Sequence, residues 1–168
     1  MADVADANGF RGEATRPGGL KAIWGLLTTQ FIGAFNDNAW KQLVILLGLA
    51  AAATESEGQR SMAIAQIVLM TPLLLVSPPA GVLADRAGKR SIIVWMKIAE
   101  LALMTLGMLV LMVHPSGGWP ALMVLGLLGV QAALYSPAKY GILPETVAHD
   151  ELSRGNGLLE MLTNVAII

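Results

Sequence analysis

The chain has 168 residues, of which 55% are hydrophobic and only 14% charged, with a mean hydropathy of +0.62 and a formal net charge of −1. A soluble domain carries about one quarter charged residues, so this composition excludes an ordinary soluble fold and points to a helical membrane protein. The absence of Cys excludes disulfides and thiolate-held metals.

Residues 1–21 are polar and rich in Gly, Ala and Asp, without periodicity, and read as a disordered tail. A first apolar span follows from about Ala22 to Ala53, with Trp24 as a candidate interface anchor. It is not a signal peptide, because it is too long and carries Asp37 and Lys41. Thr54 to Arg60 reads as a short polar loop. The second span, Ser61 to Leu83, lacks Asp, Glu, Lys and Arg but holds Pro72, Pro78 and Pro79. The turn Gly81-Val82-Leu83-Ala84-Asp85-Arg86-Ala87-Gly88-Lys89-Arg90 leads into the third span, Ile92 to Val113. His114 to Pro120 is rich in helix breakers. A fourth span runs from Ala121 to about Tyr135, with a possible extension toward Lys139. Ser136 to Ser153 reads as a polar connection, and a fifth span starts near Leu152.

These runs meet the length of about 20 residues that a bilayer core requires, and they lack the ten-residue alternation of a membrane barrel. Arg11, Arg16, Lys21, Arg86, Lys89, Arg90, Lys139 and Arg154 fall on one side, and Arg60 on the other. By the positive-inside rule the N-terminus is expected in the cytoplasm. Five started spans and an apolar end at Ile168 lead us to expect the front part of a longer protein.

Charges inside apolar spans are the candidate functional residues. An ionised side chain at a helix centre costs about 2.5–3.5 kcal/mol on insertion scales, so such groups usually face cavities or partners. Asn36, Asp37, Asn38 and Lys41 lie near the middle of the first span. Asp37 and Lys41, spaced i, i+4, can share a helix face. They could be a self-neutralising pair, with the Asn residues as interhelical glue. Four polar groups within six residues exceed that need, and we read them as a polar patch on a substrate pathway. Lys97 and Glu100 are spaced i, i+3 in the third span, where pairing and snorkelling compete with a functional role. Glu160 in the fifth span calls for a partner on another helix, with Lys41 a candidate. Gln131 reads as an interhelical hydrogen-bonder, and Gly25, Gly33, Gly126 and Gly129 as sites of close helix approach.

No phosphate-binding loop, Ser/His/Asp set, HEXXH motif or basic-aromatic patch occurs. Catalysis, a cofactor, a metal site and nucleic-acid binding are therefore not expected.

The segment from Gly81 to Arg90 fits G-x-L-a-D-r-x-G-r-[RK] and resembles the loop between helices two and three of the major facilitator superfamily. The resemblance implies an all-α membrane protein: about five transmembrane helices, residues 22–168, from the N-terminal half of that fold. It implies a conformational switch in which Gly81 allows close approach of a helix from the C-terminal half. Asp85 would face that helix's N-terminus, where the dipole favours a carboxylate. Arg86 and Arg90 would join Asp85, Gly88 would permit the tight turn, and Lys89 would sit at the lipid head groups.

A narrower resemblance, to the lysophospholipid transporter group, rests on three stretches. They are Gln30-Phe31-Ile32-Gly33-Ala34-Phe35-Asn36-Asp37-Asn38, Ser136-Pro137-Ala138-Lys139-Tyr140-Gly141-Ile142-Leu143-Pro144-Glu145, and Leu152-Ser153-Arg154-Gly155-Asn156-Gly157-Leu158-Leu159-Glu160. It implies a multi-pass protein of the bacterial inner membrane that moves a lysophospholipid, or another small amphipath, by alternating access. Asn36, Asp37, Asn38, Lys41 and Glu160 would line the pathway, and Lys139 could contact a head group. The expected partners are the lipid bilayer and the C-terminal half. Some group members are fused to acyltransferase and acyl-carrier-protein ligase domains, so a fused enzyme is one alternative. A facilitator for another solute and a plain membrane anchor are others.

Overall fold

A computed structural model describes residues 23–168, apart from the side chain of Asp85. The expected disordered tail, 1–21, and its basic residues lie outside the described residues. Five helices follow in order: α1, Trp24–Ala51; α2, Glu55–Arg86; α3, Lys89–Val113; α4, Gly118–Thr146; and α5, Leu152–Ile167. At about 1.5 Å per residue, α1 to α4 each exceed the roughly 30 Å of a bilayer's hydrocarbon core. Helices α2, α3 and α4 are both long and apolar enough to cross a membrane. Helix α1 is long enough but polar at its centre, and α5 has 16 residues.

The charged turn expected over residues 81–90 narrows to Ala87 and Gly88, with helix on both sides, and two other boundaries differ more from the sequence-based expectation. The stretch from Thr54 to Arg60 is not a loop, because α2 starts at Glu55. The Thr54 hydroxyl accepts the Glu57 amide at 3.3 Å, and the Glu57 carboxylate accepts the Ala53 amide at 2.8 Å. These bonds satisfy backbone donors at the helix start, where Glu55 and Glu57 also complement the dipole. The expected polar connection from Ser136 to Ser153 is likewise mostly helix. Helix α4 continues through Pro137 and Pro144 to Thr146, leaving Val147 to Glu151 as the connection, with a 3-10 turn at His149–Glu151. The extension is held by packing, since Leu143 and Val147 are fully buried against Ile23, Leu27 and Leu159. By contrast, the breaker-rich turn expected after α3 is present, shortened to residues 114–117 because α4 starts at Gly118. Gly117 and Gly118 adopt φ of 76° and 61°, values that favour glycine.

Helix α4 is the hub and packs against each of the other four. Its glycines allow close approach to α2: a β-carbon on Gly129 would lie 2.9 Å from the Leu69 carbonyl oxygen, and one on Gly126 3.3 Å from Val68. The core divides into an assembly of Trp40, Val44, Ala65, Ala121, Val124, Leu125 and Leu128, and a second at the opposite end around Ile23, Leu27, Leu143, Val147 and Leu159. Leu74, Leu75, Leu101, Met112 and Val113 point outward and are about 70% exposed. In a bilayer, such outward apolar side chains can lie against lipid or against another apolar helix face.

Candidate functional site

Between the two apolar assemblies, α1 from Gln30 to Lys41 and α4 from Gln131 to Lys139 line a cleft of about 350 Å³ to which all five helices contribute. The face of α1 is a stripe at helical spacing, Gln30, Gly33, Ala34, Asp37 and Lys41. The stripe turns the costly groups of α1 away from the lipid side. Opposite them, α2 supplies an apolar wall of Leu69, Met70 and Leu73.

The cleft contains a tightly set ion pair. Lys97 Nζ donates to Glu100 Oε2 at 2.7 Å, and Glu100 is buried. The same ammonium lies 4.7 Å from the centre of the Tyr135 ring, a cation–π arrangement. Helix α1 makes room for the pair at Gly33. A β-carbon there would collide with Lys97 Nζ and lie 3.2 Å from both Glu100 carboxylate oxygens. Gln131 Nε2 donates to the Met96 carbonyl at 3.1 Å, the interhelical role expected of it. Gln30 Nε2 donates to Thr163 Oγ1 at 2.9 Å, and Asn38 Nδ2 to the Ile167 carbonyl at 2.8 Å, tying α5 to α1.

Of the residues expected on a substrate pathway, Asp37, Asn38, Lys41 and Lys139 line the cleft. Asn36 and Glu160 do not. The Glu160 side chain is exposed and accepts the Tyr140 hydroxyl, so its partner is Tyr140 rather than Lys41. Nor do Asp37 and Lys41 form an ion pair; among the described residues the ion pairs are Lys97–Glu100 and Lys89–Glu145. Lys139 is buried, with its ammonium 4.4 Å from the centre of the Tyr140 ring. Four polar atoms in the cleft, Asp37 Oδ1, Asn38 Oδ1, Gln131 Oε1 and the Tyr135 hydroxyl oxygen, are buried without a hydrogen-bond partner among the described residues. Buried polar atoms are normally paired, so these are places where a polar guest or water gains most.

Tyr135, Gln30 and Thr163 were not singled out from sequence. Gln30 was detectable, because it extends the Gly33–Asp37–Lys41 stripe by one turn. Tyr135 at the end of an apolar run carries no such signal.

The charged turn joins α2 to α3 through Ala87 and Gly88. A β-carbon on Gly81 would meet nothing within 4 Å, so this face of α2 is open. Asp85 lies in the last turn of α2, and its side chain is outside the described residues. Arg86 ends α2 and Arg90 opens α3, both exposed. Gly88 has φ −58° and ψ 117°, which any residue adopts, so the turn does not require glycine conformationally. Lys89 does not extend freely to head groups but pairs with Glu145 at 2.6 Å across the α3–α4 hairpin.

A family model described as "Transmembrane secretion effector" matches residues 28–167. The "Lysophospholipid transporter LplT" of Salmonella heidelberg (strain SL476) is 34% identical over 151 residues, 88% of this chain and 34% of the relative. The protein of the same name from Photorhabdus laumondii is 35% identical over 150 residues, 89% of this chain and 34% of the relative. That of Salmonella arizonae is 32% identical over 151 residues, with 88% and 34% covered. The chain thus spans about a third of the length of these curated relatives. No solved structure matches. With an all-helical bundle among the described residues, apolar membrane-length helices and a family match over most of its length, the chain belongs to the major facilitator superfamily.

Proposed function

We propose that this protein is a lysophospholipid transporter of the bacterial inner membrane, working by alternating access with its N-terminus in the cytoplasm. The observation that carries the reading is the two-sided character of the cleft. One wall presents Asp37, Asn38, Lys41 and Lys139, and the other presents Leu69, Met70 and Leu73. A lysophospholipid has the same division. Its phosphate suits the ammonium groups of Lys41 and Lys139, and head-group donors such as an ammonium or hydroxyl suit Asp37 and Asn38. Its acyl chain suits the apolar wall. The volume of about 350 Å³ lies at the lower end of small-molecule sites, roughly 300–1,000 Å³, which fits a head group with its chain left toward α2. The similarity to proteins named lysophospholipid transporters supports the same substrate class.

In this reading the substrate is moved rather than chemically changed. Alternating access in this superfamily rocks two repeats about a midplane site. The open face at Gly81 and the Asp85–Arg86–Arg90 turn would engage a second half. The test is flipping of a labelled lysophospholipid by the full-length protein in proteoliposomes. Asp37→Asn and Lys139→Met should each lower uptake at least ten-fold while the protein inserts normally. Uptake of an unrelated sugar or drug, with no competition from lysophospholipid, would overturn the reading.

A further inference from the structure

We propose that Lys97 is a head-group phosphate ligand, and that Glu100 is its resident counter-ion, displaced when substrate passes. This deepens the transport reading and rests on it for the identity of the substrate.

Three helices place the Lys97 ammonium. Glu100 on α3 accepts one hydrogen bond at 2.7 Å, Tyr135 on α4 lays its ring 4.7 Å away, and α1 leaves the slot at Gly33 that a methyl group would fill. An ammonium has three donors, and Glu100 takes one. No other hydrogen bond from Lys97 Nζ is made among the described residues, and the side chain lines the cleft. Mutual neutralisation of two charges requires only the i, i+3 spacing on α3. The bare backbone at Gly33 and the ring of Tyr135 do more, because they fix where the ammonium sits.

That position completes a series along the cleft. Gly33, Lys97, Glu100 and Tyr135 share one level. Helices α1 and α4 run antiparallel, with Ile23 beside Leu143 at one end and Leu47 beside Gly117 at the other. Lys41 therefore lies about 12 Å from this level in one direction along α1, and Lys139 about 6 Å in the other along α4. Lys97 is the middle of three cations, and among the described residues it is the one held in an ion pair. A phosphate leaving Lys41 would face a long gap before Lys139 without it. Exchange of Glu100 for phosphate leaves the Lys97 ammonium with a charge-assisted bond before, during and after passage, so this buried cation is never unpaired.

The experiment compares full-length wild type with two variants that preserve neutrality, Lys97→Gln/Glu100→Gln and the swap Lys97→Glu/Glu100→Lys. Insertion and thermal stability are measured beside the kinetics of lysophosphatidylethanolamine uptake. Variants with wild-type stability and a KM raised ten-fold or more, kcat changing about two-fold or less, are expected. Glu100→Gln, which removes the competing carboxylate, should lower KM. Wild-type KM in either stable, charge-neutral double variant overturns the proposal, since the pair would then serve only neutrality. If the wild type moves no lysophospholipid, the transport reading fails by itself. Binding of glycerophosphoethanolamine, followed by calorimetry on wild type and the same variants, then decides the role of Lys97: equal affinity in all would refute it.

Discussion

Trp40 on α1 lies directly over Gly107 on α3, with three of its ring carbons 2.7–3.2 Å from where a β-carbon on Gly107 would stand. The indole fills the space that the glycine leaves and anchors the apolar assembly with Val44 and Leu125. Gly107→Ala therefore forces the ring to shift, and overpacking of this kind typically costs about 1–3 kcal/mol. A lower melting temperature in detergent and an altered tryptophan emission are expected. An unchanged melting temperature would show that α1 and α3 are not fixed at this crossing.

Helix α5 is held by two polar bonds from α1, Gln30 to Thr163 and Asn38 to the Ile167 carbonyl. Each is worth about 0.5–1.5 kcal/mol net. Removing both, as Gln30→Ala/Asn38→Ala, should raise hydrogen exchange across Leu158 to Ile167 by about ten-fold or more, and leave exchange in α3 unchanged. Uniform exchange in all helices would mean that the bonds stabilise the whole bundle instead.

The Lys89–Glu145 pair differs in kind from the pair in the cleft. It lies at a helix end, with the Glu145 side chain 58% exposed. Exposed pairs are worth at most about 1 kcal/mol. Glu145→Gln should accordingly change thermal stability by no more than a few degrees. A collapse of folding would place this pair among the essential contacts of the α3–α4 hairpin.

Orientation can be tested with single cysteines, because residues 1–168 contain no Cys of their own. Single substitutions Ser116→Cys, in the α3–α4 turn, and Asp150→Cys, before α5, lie at opposite ends of α4. An impermeant maleimide applied to intact cells should label Ser116→Cys, and Asp150→Cys should react only after the membrane is opened. The reverse pattern would invert the proposed topology.

In the turn between α2 and α3, the proposed switch role predicts that Asp85→Asn lowers transport by the full-length protein at least ten-fold with normal insertion. Unchanged transport would leave Arg86, Lys89 and Arg90 as orientation signals only.

Much of this arrangement was legible in the sequence, for reasons that stay local. The apolar runs gave the helices, Gly117 and Gly118 marked a turn, and the Asp37 cluster announced a polar interior because such groups cannot face lipid cheaply. The ends of the helices were less legible. Ser136, Pro137, Lys139 and Tyr140 look like a loop by composition, yet Leu143 and Val147 keep α4 helical by packing on Ile23, Leu27 and Leu159, residues distant in sequence. The same limit applies to partners. Spacing paired Lys97 with Glu100 on one helix, but the pairing of Tyr140 with Glu160 depends on how α4 and α5 cross, which no single helix encodes.

The two apolar assemblies that bracket the cleft also shape the electrical profile of the bundle. In a membrane under voltage, potential falls most steeply where polarisability is lowest, in the layers around Leu27 and Leu143 and around Val44 and Leu125. The polar stretch between them, with Asp37, Asn38, Lys41 and Lys139, would carry a smaller share of the field. Moving one elementary charge through the whole membrane field is worth about 2.3 kcal/mol per 100 mV. In the proposed transport, a head group with net charge would do more of that electrical work on crossing the apolar layers than while it sits among the lysines.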